Sequence, residues 1–282
     1  LKNLSKSIQN NVDNPIFISI DQEGGKVSRL KEEYGFPSFP SWQEIGKLDD
    51  ISETKKLAES LANHLNYCGI NLNYAPVLDL DYGQKTYIGN AQRALSKNPK
   101  KIIEHSSILI KTLKKKNIFS CVKHFPGQGS GLGDTHQGID DISNTWSKQE
   151  LIPYETMINS GILDMVMISH VFHRLYDSNL PASLSKNIAT KLLRKKLHFE
   201  GVIICDDPSM KAISNNYSLE DTFTYMINAG IDIFCLGNNL GFDPYYVPKC
   251  VQAIKEGINK KKISIEKIEQ SILRINKLKD KL

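Results

Sequence analysis

The chain has no stretch of about 18 uncharged apolar residues, so no segment is apolar enough for long enough to cross a bilayer as a helix. It also has little net charge: 36 Lys+Arg against 31 Asp+Glu leave +5 over 282 residues. With 40% hydrophobic residues, so small an imbalance excludes a globally disordered chain. The basic residues gather in lysine runs, Lys114-Lys115-Lys116 and Lys260-Lys261-Lys262, which read as solvated helix ends. An arginine-rich arm or basic–aromatic stripe is missing, so no nucleic-acid partner is expected. Cysteine is sparse and odd in number: Cys68, Cys121, Cys205, Cys235 and Cys250. No pair has CxxC spacing and several sit in apolar runs, so they read as buried free thiols rather than a disulfide frame or zinc site. That pattern leans toward a reducing, cytoplasmic compartment. The first residue is Leu1, with no signal-type apolar segment after it, so a secreted or periplasmic setting stays open.

What is present is alternation. Apolar, β-branched runs of strand length occur at 15–21, 70–81, 118–125, 163–171, 201–207 and 231–237. Helix-period segments lie between them: 52–68 with Leu57, Leu61 and Leu65 on one face, 98–116, 147–160, 186–197, 218–229, 245–258, and a last one N-capped by Ser264. Near-continuous apolar strands alternating with helices mean a parallel sheet covered on both faces. Reactive side chains stand where nearly every strand ends: Asp21-Gln22-Glu23, Asp79 and Asp81, Lys123-His124, Ser169-His170, Asp206-Asp207. An open doubly wound sheet uses one crevice, whereas a barrel collects its site from many strand ends. The expectation is therefore a single-domain α/β chain of the (β/α)8 TIM-barrel type. Only six strands are found where a closed barrel has eight, and the chain opens in a helix-like segment. Two βα units are expected to be missing before residue 15.

Three segments carry the chemistry. In Asp21-Gln22-Glu23-Gly24-Gly25-Lys26-Val27-Ser28-Arg29, a strand-end carboxylate, tight glycines and a returning arginine can clamp hydroxyl groups; the same residues fit an ordinary βα turn. In Lys123-His124-Phe125-Pro126, followed by a loop with glycines at 127, 129, 131 and 133, neither GxxxxGK[ST] nor GxGxxG is satisfied. The glycines imply a mobile loop. It ends in Asp134-Thr135-His136, where a carboxylate two residues from an imidazole can orient the ring and raise its pKa, as a general acid/base requires. Two solvated loop residues fit as well, and Asp-x-His supplies too few ligands for a metal. In Gly201-Val202-Ile203-Ile204-Cys205-Asp206-Asp207, an apolar strand delivers a pair of acids. Alternation sends one to the mouth and leaves the other to brace the turn, so one can serve as a nucleophile toward an anomeric carbon. A helix-capping aspartate is the plainer alternative.

Taken in order, DQEGGxVxR, NYAPVLDLDYG, IGNxxRALS, KHFPGxG, DTH, SHV and GVIxxDDxxMKAI resemble the barrel domain of glycoside hydrolase family 3, most of all its single-domain bacterial β-N-acetylglucosaminidase branch. The resemblance implies Asp206 as nucleophile, His136 as acid/base and Asp134 as its dyad partner. It implies Asp21, Arg29, Arg93, Lys123 and His124 as residues holding the non-reducing-end sugar, with His170 lining the pocket. It further implies retaining exo-cleavage of terminal GlcNAc from a glycan or muropeptide of peptidoglycan, with no metal or organic cofactor, by a monomer. A family 3 phosphorylase, a β-glucosidase-like hydrolase and an inactive carbohydrate-binding barrel are the competing readings. The sequence departs from the family pattern at Gln128, Pro208 and Lys26.

Overall fold

A computed structural model describes residues 1–238 and 241–282. The six expected strands are present, shortened to their paired cores: β1 (Ser19–Ile20), β2 (Leu72–Asn73), β3 (Phe119–Phe125), β4 (Met165–Ile168), β5 (Val202–Cys205) and β6 (Ile233–Phe234). All pair parallel in chain order, with Ser19 opposite Leu72, Leu72 opposite Phe119, Cys121 opposite Met165, Met165 opposite Val202 and Ile204 opposite Ile233. The result is an α/β half-barrel. The helices are α1 (Lys2–Asn10), α2 (Trp42–Leu48), α3 (Ile51–Tyr67), α4 (Tyr87–Asn90), α5 (Pro99–Lys114), α6 (Ile152–Asn159), α7 (Lys211–Ser214), α8 (Leu219–Ala229), α9 (Tyr246–Asn259) and α10 (Ile265–Lys279). A wider i→i+5 helix, Asn187–Lys196, occupies the expected segment 186–197.

Strand alternation divides the apolar residues between two faces. Val122, Val166, Ile168, Ile203 and Cys205 face outward into the main core with Leu61, Leu65, Ile110, Leu113 and Met226 of the covering helices. Phe119, Cys121, Met165, Met167, Val202 and Ile204 face inward with Leu72 and form a second cluster. Leu278 of α10 packs into that inner cluster, flanked by Ile275 and Leu282. A helix therefore lies against the concave side, at the end of the sheet where the strands begin. The five cysteines are free, and all but Cys235 are fully buried.

Asp232, just before β6, fastens this closure. Its Oδ2 accepts from the Ile203 amide at 2.8 Å and from Arg194 Nη2 at 2.5 Å. Its Oδ1 accepts from Ser271 Oγ at 2.7 Å and from Arg274 Nε and Nη2 at 3.0 and 2.8 Å. One buried carboxylate thus joins β5, β6, the Asn187–Lys196 helix and α10. Removing one partner from a buried ion pair strands the remaining charges at a cost of about 3–5 kcal/mol. Asp232→Ala is expected to destabilise by that order, read as a lower urea midpoint with unchanged cavity chemistry at the opposite end of the strands.

Candidate active site

At the strand C-termini a cavity of about 370 Å3 is lined by side chains from every strand exit, among them Asp21, Glu23, Arg29, Arg93, Lys123, His124, His136 and Asp206. Its floor is Tyr74, Met167 and Cys235. Burial pushes the Cys235 thiol up to about 12, with Asp206 and Asp207 adding to the rise, so it stays protonated.

The β1 exit is shaped by Gln22, which is fully buried. Asn73 of β2 grips its backbone on both sides at 3.0 Å. The Gln22 side chain accepts from the Arg29 and Leu30 amides at 2.7 and 3.0 Å and donates to Ser28 Oγ at 2.7 Å. This staple returns the chain and sets Arg29 on the exposed rim. Gly24 sits at φ +100°, and a Cβ there would lie 2.2 Å from Pro40 O, so only glycine fits the turn.

Between these residues runs a chain of alternating charge. Lys123, 3% exposed, donates to Asp21 at 2.6 Å and Glu23 at 2.5 Å. Glu23 receives Arg93 in bidentate fashion, Nε to Oε2 and Nη2 to Oε1, each 2.8 Å. Arg93 Nη2 also meets His124 Nε2 at 3.0 Å. A guanidinium only donates, so Nε2 accepts and the His124 proton sits on Nδ1, 2.6 Å from Asp79 Oδ2. Asp79 Oδ1 takes the His124 and Gln128 amides at 3.1 and 2.8 Å. His124 follows Lys123 into the cavity because the β3–β4 pairing shifts register between Val122 and Phe125, breaking strict alternation.

Asp206 continues the inward alternation of Val202 and Ile204 and reaches the cavity. Burial alone would raise its carboxyl, but His170, His124, the Asp207 amide and Lys123 outweigh burial and hold it below the usual range. His170 is itself pushed down by burial, and the Asp207 amide bonds the Asp206 carboxylate at 2.9 Å. Asp207 turns away and accepts from the Ser209 amide at 2.8 Å, bracing the turn. His170 does not line the cavity, contrary to expectation. It is fully buried behind the strand exit, with Nδ1 2.7 Å from Ser183 Oγ and Nε2 2.9 Å from the Asp207 carbonyl.

His136 lines the cavity opposite these groups, 46% exposed, with Nδ1 2.7 Å from Asp134 Oδ1. Asp134 also accepts the His136 amide at 3.0 Å. The loop around them is tied down at several points. Its carbonyls Gly131, Thr135 and His136 accept from Tyr87, Ala212 and Lys211 amides at 2.9, 3.3 and 3.4 Å, and Gly133 donates to Asp140 at 3.1 Å. The glycines serve close approach more than freedom. A Cβ on Gly127, at φ +109°, would lie 2.4 Å from the Cβ of Glu150. Glu150, whose carboxyl is pushed well up by burial and by Asp79, accepts the Leu80 amide at 3.1 Å behind that turn.

The structure thus brings Asp21, Arg29, Arg93, Lys123, His124, His136 and Asp206 to one cavity, with Asp134 directly behind His136. Sequence reasoning assigned no role to Glu23, Glu150 or Tyr87, and marked Asp79 only as an acid at a strand end. The carboxylate of Glu23 stands in the motif, but its partners are far along the chain.

Burial raises the Glu23 carboxyl, yet Arg93 and Lys123 together hold it well below the ordinary carboxylate value of 4.5. A carboxyl depressed in the folded state contributes stability that is complete above its unfolded pKa and is lost as pH falls toward the folded one. Glu23→Gln is expected to lower stability at pH 7 by on the order of 3 kcal/mol. It is also expected to flatten the loss seen on acidification below about pH 4.5; urea midpoints from pH 7 to pH 3 check both effects.

Residues 1–278 match the Glycosyl hydrolase family 3 N terminal domain. A beta-hexosaminidase of Photobacterium profundum is 36% identical over 241 residues, covering 85% of this chain and 70% of that protein. Beta-hexosaminidase A of Pseudoalteromonas piscicida is 30% identical over 290 residues, covering 95% of this chain and 48% of that protein, so the chain spans about half the length of that relative. The solved structure of a glycoside hydrolase family 3 beta-N-acetylglucosaminidase from Paenibacillus sp. superposes with a TM-score of 0.88 at 29% identity, over 99% of this chain and 53% of that one. The chain belongs to glycosyl hydrolase family 3.

Proposed function

We propose that the chain is a retaining exo-β-N-acetylglucosaminidase that removes terminal GlcNAc from a glycan, with muropeptide fragments of peptidoglycan as the substrate class. One observation carries the reading: Asp206 and His136 face the same cavity, and a carboxylate stands behind the imidazole. The beta-hexosaminidase relatives support the sugar. Asp206 is ionised and attacks the anomeric carbon. His136, protonated and paired with Asp134, gives its proton to the leaving oxygen. A covalent glycosyl-Asp206 ester forms with inversion. Neutral His136 then takes a proton from water, which attacks the anomeric carbon, breaks its bond to Asp206 and frees that carboxylate, so the second inversion restores the β configuration.

Unspent hydrogen-bonding capacity supports these residues as contacts for the sugar. Asp21, 37% exposed, keeps one carboxylate oxygen beyond its bond to Lys123. Lys123 keeps a third N–H, and Arg93 keeps Nη1, because its recorded bonds use Nε and Nη2. Arg29 adds a guanidinium at the rim. His124 spends both ring nitrogens on Arg93 and Asp79, so it offers ring surface and not a hydrogen bond.

The test is hydrolysis of p-nitrophenyl β-GlcNAc beside the β-glucoside, with and without phosphate, with the product anomer followed by NMR. Expected are β-GlcNAc as first product, no phosphate dependence, loss of turnover in Asp206→Asn, and a drop of roughly 10²–10⁴ in His136→Ala. GlcNAc-1-phosphate as product would replace the hydrolase with a phosphorylase. Folded protein that releases nothing from either substrate would leave only a carbohydrate-binding role.

A further inference from the structure

We propose that Asp140 is a positioning residue for the proposed acid/base: its carboxylate closes the loop that carries Asp134 and His136, and so fixes where the imidazole stands over the cavity. The inference rests on the dyad reading above and goes beyond it, since it places control of the dyad on a residue outside the cavity.

Residues 133–140 form a closed loop with the dyad inside it. At its base, Asp140 Oδ1 accepts the Gly133 amide at 3.1 Å. Within it, the Gln137 amide donates to Asp134 O at 2.8 Å and turns the chain around the dyad. Gly133 immediately precedes Asp134. The bond at the base therefore fixes the peptide from which the Asp134 carboxylate projects, and that carboxylate lies 2.7 Å from His136 Nδ1. The far side of the loop is held less closely. Gln137 and Ile139 are exposed, and a Cβ on Gly138 would meet nothing. The main-chain bonds it receives from Ala212 and Lys211 are long, at 3.3 and 3.4 Å. A short loop pinched at its base by one side chain takes its direction from that side chain.

Asp140 itself is anchored to the β4 exit. It is 6% exposed. Its carbonyl accepts the Phe172 amide at 2.8 Å, and the Ile142 amide donates back to Phe172 O at 3.0 Å, with the Ile142 side chain fully buried in the main core. Further along the same segment, Thr145 Oγ1 donates to Ser130 Oγ at 3.3 Å and Trp146 Nε1 to Pro126 O at 3.1 Å, so the anchor also grips the start of the glycine run. The carboxylate is packed hard against that run, since a Cβ on Gly131 would run into Asp140 Oδ2. Oδ2 is sealed from solvent and has no hydrogen-bond partner among the described residues. A buried oxygen left unpaired costs free energy. Folds carry such a cost at functional sites more than in their cores.

Asp140→Ala removes the acceptor, whereas Asp140→Asn keeps one for the Gly133 amide. Both are compared with wild type on two substrates: p-nitrophenyl β-GlcNAc, whose leaving group needs little protonation, and methyl β-GlcNAc, which depends on it. For Asp140→Ala, kcat/KM on the methyl glycoside is expected to fall about a hundredfold, the scale on which misplacing a reacting group by about an ångström is felt. On the aryl glycoside kcat/KM falls by less than about threefold. There kcat and KM fall together, because glycosyl-Asp206 waits for the same displaced base and accumulates. Asp140→Asn stays within about threefold of wild type on both substrates. Three results overturn the inference and leave Asp140 as packing, each in protein with a wild-type melting curve: an equal loss in kcat/KM on both substrates, no loss on either, or Asp140→Asn as impaired as Asp140→Ala. Where Asp140→Ala does not fold, hydrogen exchange in the wild-type protein decides. A protected Gly133 amide sustains the closed loop, and one that exchanges like an unbonded amide overturns it. His136→Ala separates the two levels. If it shows no leaving-group dependence the dyad reading itself fails; if it does and Asp140→Ala does not, only the role of Asp140 fails.

Discussion

Lys123 is nearly sealed from solvent, and a buried ammonium persists only where it is surrounded by compensating charge. Asp21 and Glu23 supply that compensation, Glu23 in turn needs Arg93, Arg93 is completed by His124, and His124 is oriented by Asp79. Each group is acceptable in its place because of the next. The chain crosses three strand exits, so the relative positions of β1, β2 and β3 at this end are set by ionic geometry as much as by packing. It also fixes what remains free: the unpaired hydrogen-bonding capacity of Asp21, Lys123 and Arg93 is all that these residues can offer a ligand.

The two proposed reacting groups are supported in different ways. Asp206 rests on a strand, with His170 bound to the carbonyl of the following residue and Asp207 closing the turn. It has little freedom. His136 rests on a loop tied by main-chain bonds to α4 and to the start of α7, immediately after the Asp206-Asp207 turn, and by the Gly133 amide to Asp140. The loop that carries His136 is thus docked onto the segment that follows Asp206. Rearranging the Asp206 turn would alter the loop, and the reverse holds too.

All six strands were legible because each is an apolar run at period two or buried on both faces. Their ends were not. The run at 15–21 contracts to a two-residue strand, since the Asn71 side chain, in place of backbone, takes the Ile18 amide and donates to Ile16 O. Helix α2 went unread although Ser41 and Glu44 form a complete capping box, a signal the sequence does carry. Helix α7, one turn with no capping side chain, left no such trace. Within the site, the Asp134–His136 contact was readable because it spans two residues. The role of Glu23 was not, because its partner Arg93 lies 70 residues on and only the folded sheet brings them together.

The charge chain has one more consequence. Asp21, Glu23 and Asp79, with Asp206 beside them, set four carboxylates against the two permanent cations Lys123 and Arg93, with the His124 imidazole between. Arg29 and Lys26 stand at the water-exposed rim, where solvent screens them. The inner wall therefore carries an excess of fixed negative charge before any ligand arrives. In the proposed reaction, a sugar ring that becomes oxocarbenium-like as its glycosidic bond stretches would meet a counter-charge already in place.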